Sequence, residues 1–235
     1  MNWQQYFYFI GTTVFLPIWI LLFLKKESRK DMLLTGLFMG LGAVIIEHLY
    51  AKIDYWTPIF IFSKFPFEDF YYGFIFGGIG SELHEIILRK KNSLKKLYPT
   101  HKKTIIFLFL ICFFSFIFFV NILKLNSIIA HIFAPILIGV FIGILRKDLF
   151  IDQIYNGIFI MILTTLMFWI LLIIEPQLFI KYWYIDNLSG IFILKIPIEE
   201  YLFAFAVGFG LGNIYEFTFG YSVIKNKNKK SYLKK

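Results

Sequence analysis

The chain has 235 residues, 59% hydrophobic and 21% aromatic with 31 Phe, against 17% charged. A soluble domain of this size cannot bury so much apolar surface, so the composition excludes a globular soluble protein and identifies an integral membrane protein. The formal net charge of +9 does not imply a nucleic-acid partner, because the Lys and Arg cluster in short loops between apolar runs.

Seven segments are long and apolar enough to span a bilayer of about 30 Å. They run over residues 3–24, 32–51, 67–88, 104–123, 127–145, 150–174 and 197–222. The first lacks the basic leader of a signal peptide, and Lys25 and Lys26 follow it, so it reads as a retained span. Nineteen of the 24 Lys and Arg fall after spans one, three and five and in the C-terminal tail. The other side holds Lys52, Lys64, Lys124, Lys181 and Lys195. This asymmetry predicts an N-terminus outside and a C-terminus in the cytoplasm of a multi-pass cell-membrane protein. Cys112, alone in an apolar run, excludes an intramolecular disulfide.

The spans repeat. Pro66-Phe-Glu68-Asp69 recurs 131 positions later as Pro197-Ile-Glu199-Glu200. At the same offset Gly73, Gly77 and Ser81 fall on Ala204, Gly208 and Gly212, and Glu85 falls on Glu216. Small residues every fourth position let another helix approach closely, and a shared proline, acidic pair and small-residue stripe indicate an internal repeat. The order Pro17, Arg29-Lys30-Asp31, Glu47, Tyr55-Trp56, Glu68-Asp69 answers to Pro135, Arg146-Lys147-Asp148, Glu175, Tyr182-Trp183, Glu199-Glu200. The expected fold is therefore all-α, with seven transmembrane helices as two parallel three-helix repeats joined by one linker helix. Residues 1–91 form the first repeat, 92–125 the basic loop and linker helix, 126–224 the second repeat and 225–235 a basic cytoplasmic tail.

With this topology Glu47, Glu68, Asp69, Glu175, Glu199 and Glu200 all fall near the outer ends of their helices. Glu85 and Glu216 lie about 25 Å away, at 1.5 Å per residue. Acidic residues inside membrane segments are functional candidates by default. Carboxyl groups gathered in an apolar setting cannot all ionise. A protonated one is a Brønsted acid, and an ionised neighbour stabilises a cation or takes a proton back. The plainer reading is that a proline followed by Glu is a common helix start, where the dipole favours negative charge. Adjacent carboxylates point about 100° apart on a helix, so at most one of each pair faces a cleft squarely.

Trp56, Trp183, Tyr55 and Tyr182 sit beside the acids. Their ring faces suit a carbocation, and an interfacial aromatic belt explains them equally well. Glu47-His48 and Glu82-x-His84-Glu85 suggest metal ligands, but no repeated His-x-x-x-His supports one, so no metal is expected. Gly77, Gly78 and Gly80 follow no strand, which argues against a nucleotide loop.

The pattern resembles the integral-membrane lycopene cyclase domain found as paired bacterial subunits, fused archaeal proteins and half of fungal bifunctional enzymes. The resemblance rests on the doubled three-span unit, Pro17 and Pro135, Arg29 and Arg146, and Glu175 with Trp183. Its most distinctive part is Ile196-Pro197-Ile198-Glu199-Glu200-Tyr201-Leu202-Phe203, similar to the family's Pro-x-Glu-Glu-x-x-Phe signature. The first half departs from that pattern in its Glu68-Asp69 pair.

The resemblance implies redox-neutral cyclisation of a linear carotenoid end group without flavin or other cofactor. Glu199 or Glu200 would act as acid, with Glu175 or the Glu68/Asp69 pair as counterion and base. Expected partners are a linear carotenoid, membrane lipid and, as an open alternative, a second copy of the chain. A retinal-binding opsin needs a lysine in the last span, and residues 197–224 contain none. An intramembrane glutamate protease would show Glu-Glu followed by Arg and a Phe-x-x-x-His, both absent. A carotenoid hydratase and a small-molecule transporter stay as alternatives.

Overall fold

The computed structural model describes residues 6–57, 60–61, 65–87 and 94–223. The chain opens with α1 (Phe7–Thr13) and α2 (Leu16–Phe23), followed by α3 (Arg29–Ile46). A π-helical turn, Glu47–Ala51, and a last turn α4 (Lys52–Asp54) continue α3. Next come α5 (Phe67–Ile87), strand β1 (Leu94–Lys96), α6 (Lys102–Ile117) with a π turn at Phe118–Ile122, α7 (Ser127–Leu145) and α8 (Phe150–Ile174). A short α9 (Leu178–Tyr182) and the hairpin of β2 (Phe192–Ile193) and β3 (Ile196–Pro197) lead into α10 (Ile198–Leu211), α11 (Ile214–Phe219) and β4 (Tyr221–Val223).

Four helical stretches among the described residues are long and apolar enough to cross a membrane: Arg29–Asp54, Ser127–Leu145, Phe150–Ile174 and Ile198–Phe219. Phe7–Phe23 and Ile106–Ile122 are shorter apolar stretches. Large apolar side chains such as Leu21, Ile144 and Ile173 are exposed on their outer faces, as lipid contact requires and water forbids. The chain is a multi-pass membrane protein.

The first expected span is broken in two. Pro17 has no N–H to donate back one turn, and Phe15 N–H turns instead to the Thr12 carbonyl at 3.0 Å. The last expected span breaks at Gly212-Asn213, between α10 and α11. The hairpin before α10 had no sequence reading. Its turn residues Leu194 and Lys195 both have positive φ, 49° and 68°, the two-residue geometry that matches strand twist.

Two close helix pairs carry the packing. Gly73 of α5 lies on Gly40 of α3, where an added Cβ would sit 2.8 Å from Gly40 Cα. Gly208 of α10 lies on Asn156 and Gly157 of α8 in the same way. These are the positions of the small-residue stripe, and both serve close backbone approach. α5 also packs against α8, and α10 against α7. The main core lies between these pairs and includes Phe76, Ile79, Ile160, Met167, Leu171, Trp56 and Trp183.

Both arginines of the repeated pattern donate to backbone carbonyls of other elements. Arg29 Nε donates to the Phe23 carbonyl at 2.9 Å. Arg146 pairs with Asp148 at 2.8 Å, donates to the Tyr221 carbonyl and lies 3.8 Å over the Tyr98 ring. The Asp148 carboxyl loses hydration through burial, yet the Arg146 guanidinium outweighs this and holds its pKa below the ordinary value. The side chains of His84 and Glu85, residues Lys64 and Arg89 to Lys91, and the tail 225–235 lie outside the described residues.

Candidate active site

Helix α10 begins at Ile198, with Pro197 at its N-cap, and Glu199 and Glu200 fall in its first turn. The two carboxylates diverge. Glu199 Oε1 accepts from Ser189 N–H at 2.6 Å, which fixes the preceding loop. Glu200 turns into the protein, where its Oε1 accepts from Trp183 Nε1–H at 2.7 Å and from the Tyr55 hydroxyl. The start of α5 does the same. Glu68 Oε1 accepts from Ile61 N–H at 2.5 Å, while Asp69 turns inward onto the cavity that Tyr8 also lines. In each pair only the second carboxylate lines a cavity.

The third cavity carboxylate is Glu47. It opens the π-helical turn that extends α3, so the extra residue in that turn re-aims the side chain. Its Oε2 accepts from Trp56 Nε1–H at 2.8 Å. Glu47, Asp69 and Glu200 are all buried and line one cavity of about 180 Å³.

Glu175 stands elsewhere. At the C-terminal end of α8 it pairs with Lys181 at 2.6 Å and is absent from the cavity wall. The expectation that Glu175, Glu68 and Glu199 stand beside Glu200 is therefore not what the geometry brings together. Lys181, six residues on in α9, claims Glu175, and loop amides claim the other two. The hydrogen bond from Lys181 holds the Glu175 carboxyl below its ordinary value.

Aromatic rings build most of the wall. Tyr55, Trp56 and Trp183 line it, with Tyr8, Tyr72, Phe116 and Phe168. Tyr8 meets Trp56 edge-on at 5.2 Å, and Trp56 lies 5.2 Å from Trp183. Tyr182 is not on the wall; its ring stacks on Phe7 at 4.8 Å. Among the described residues, no Lys or Arg lines the cavity.

Three wall residues had no signal in the sequence reading. Tyr8 and Tyr72 sit in apolar spans and enter only because α1 and α5 pack on α8. His131 lies on α7, with Nδ1 at 2.7 Å from the Ser127 carbonyl and its ring edge-on to Phe116 and Phe203. The nearest available hint was Pro135, four residues on, which leaves the His131 carbonyl without its helical donor.

A second set of buried acids, Asp31, Glu82 and Glu216, lies toward the opposite ends of the helices. Asp31 accepts from Thr35 at 2.9 Å and Glu82 from Ser28 at 2.6 Å. Glu216 was expected apart from the outer group and does not line the cavity.

Residues 126–218 match the family model described as Lycopene cyclase. No curated protein and no solved structure matches the chain. The matched stretch covers α7 to α11, including Glu175, Trp183, Glu199 and Glu200, and supports a carotenoid cyclase-type function. The chain is a multi-pass membrane protein whose residues 126–218 are similar to the lycopene cyclase family.

Proposed function

We propose that the protein cyclises the end group of a linear, lycopene-like carotenoid by redox-neutral acid catalysis. The observation that carries this reading is the convergence of Glu47, Asp69 and Glu200 on one apolar, aromatic-walled cavity that no Lys or Arg among the described residues lines. Three carboxyls in such a place hold fewer than three negative charges. That leaves a proton for the substrate and a carboxylate for the cation.

Glu200 takes the carboxylate role, because two donors already occupy its Oε1. The adjacent Glu47 and Asp69 supply the acid; each has a buried oxygen without a hydrogen-bond partner among the described residues. Proton transfer to the terminal double bond gives a tertiary cation. The next internal double bond attacks it, which closes the ring and moves the charge onto a ring carbon. Glu200 removes a ring proton, and the C–H electron pair becomes the new double bond. Tyr8, within electrostatic reach of Asp69, Glu47 and Glu200, returns the proton to the acid pair. Nothing is oxidised or reduced in this cycle. The aromatic faces stabilise the passing cation, and the apolar walls keep water from capturing it.

The same reading takes the chain as seven spans in two parallel units, with α6 as linker, an outer N-terminus and a cytoplasmic C-terminus. Equivalent placement of Glu68/Asp69 and Glu199/Glu200 supports the doubling.

The test is expression in a bacterium that accumulates lycopene, beside a Glu200→Gln variant, with pigments separated by chromatography. Cyclic carotenoids that vanish in the variant are the expected result. Unchanged lycopene from membrane-inserted protein would overturn the reading, and hydroxylated linear products would identify a hydratase.

A further inference from the structure

The cavity does not end at the carboxylates. Along α10 its wall runs from Glu200 through Phe203 and Val207 to Leu211, one helix face about 16 Å long at 1.5 Å per residue. Opposite stand Phe38 and Gly42 of α3, with Cys112 and Phe116 of α6 on the third side. α3 packs along α5 and α6 along α7, so the slot lies between two helix pairs.

Gly42 marks a gap in that wall. A Cβ built there meets no atom within 4 Å, whereas every other glycine of α3 and α5 is crowded by a neighbour. The residues beside it, Leu41 and Ile45, are 55% and 36% exposed on the lipid-facing surface. Space at Gly42 therefore connects the slot with the lipid side of α3.

We propose that this slot receives the polyene body of a linear carotenoid while its end group reaches the acid cluster, with Gly42 as the residue that sets its width. The inference rests on the cyclase reading and names how that site takes its substrate. Along α10 beyond Glu200 and at the facing positions Phe38, Gly42, Phe113 and Phe116 the wall is apolar, so this part of the slot suits a hydrocarbon chain. A long polyene needs such an arm, since a cavity of about 180 Å³ does not enclose the whole molecule. A lateral opening leaves the remainder in the bilayer.

Purified protein in detergent, titrated with lycopene and followed by quenching of its Trp fluorescence, reads the slot without requiring turnover. Gly42→Phe should raise the Kd about tenfold or more, and Gly42→Leu by less, because added side-chain volume narrows the slot. Ile173→Phe, on the lipid-facing surface, is the insertion control and should bind like the parent; thermal unfolding confirms that each variant is folded. Parent-like binding by folded Gly42→Phe overturns the inference. So does a parent that does not bind lycopene. A parent that binds lycopene yet forms no ring overturns the cyclase reading and leaves the slot standing.

Discussion

Trp56 and Trp183 meet across an antiparallel main-chain bridge. Thr57 N–H donates to the Tyr182 carbonyl at 2.6 Å and Tyr184 N–H to the Tyr55 carbonyl at 3.0 Å. Two residues that correspond in the sequence pattern thus face each other beside the cavity. Their indoles then diverge, Trp183 to Glu200 and Trp56 to Glu47, so one backbone contact sets the positions of two cavity carboxylates.

Replacing either indole by a ring without N–H separates positioning from packing. Trp183→Phe keeps an aromatic wall but removes one of the two donors to Glu200. Loss of a hydrogen bond to a charged group predicts a fall in cyclisation of about tenfold or more. The readout is cyclic product per unit of membrane-inserted protein, and an unchanged rate would remove Trp183 from the site.

The two carboxylates at the start of α10 should part company. Glu200→Gln is expected to lower turnover by about 100- to 10,000-fold, the range of general acid–base catalysis. Glu199→Gln keeps an acceptor for Ser189 N–H and should cost about 1 kcal/mol of stability with little change in turnover. Equal losses from both variants would mean that the cavity assignment is wrong. Asp69→Asn against Glu68→Gln repeats the comparison on α5.

Glu175 gives a pH dependence with a definite sign. Lys181 holds its carboxyl below the ordinary value of 4.5, so the folded state binds that proton less readily than the unfolded state. The stabilisation is present above pH 4.5 and declines as pH falls below it towards the lower folded value. Thermal unfolding in detergent should show this decline, and Glu175→Gln should flatten it. Cyclisation at neutral pH should survive this substitution, since Glu175 is not on the cavity wall.

Helix contact can be tested away from the chemistry. Gly73→Val places methyl groups where Gly40 backbone already stands, which should cost about 1–3 kcal/mol. Because α5 carries Asp69, turnover should fall with stability. A variant that keeps full thermal stability would show that α3 and α5 are not in close contact.

Membrane class, the positions of the long apolar helices, the acidic pairs and the family resemblance were all legible in the sequence. Each is written locally: a run of apolar residues, a proline with two acids behind it, glycines four apart. Sequence spacing also implied that only one member of each acidic pair could face a cleft, since neighbours on a helix diverge by about 100°. It did not say which one. That depended on partners brought from afar: Tyr55 is 145 residues from Glu200, and the loop amides at Ile61 and Ser189 claim the other member of each pair. Glu175 looked like the counterpart of Glu47, yet Lys181 captures it while the π turn carries Glu47 inward. Tyr8, Tyr72 and His131 were hidden because one aromatic or imidazole ring in an apolar span has no periodicity of its own. Only the packing of α1, α5 and α7 around the cavity brings those rings to the carboxylates, because a side chain's surroundings depend on which helices touch.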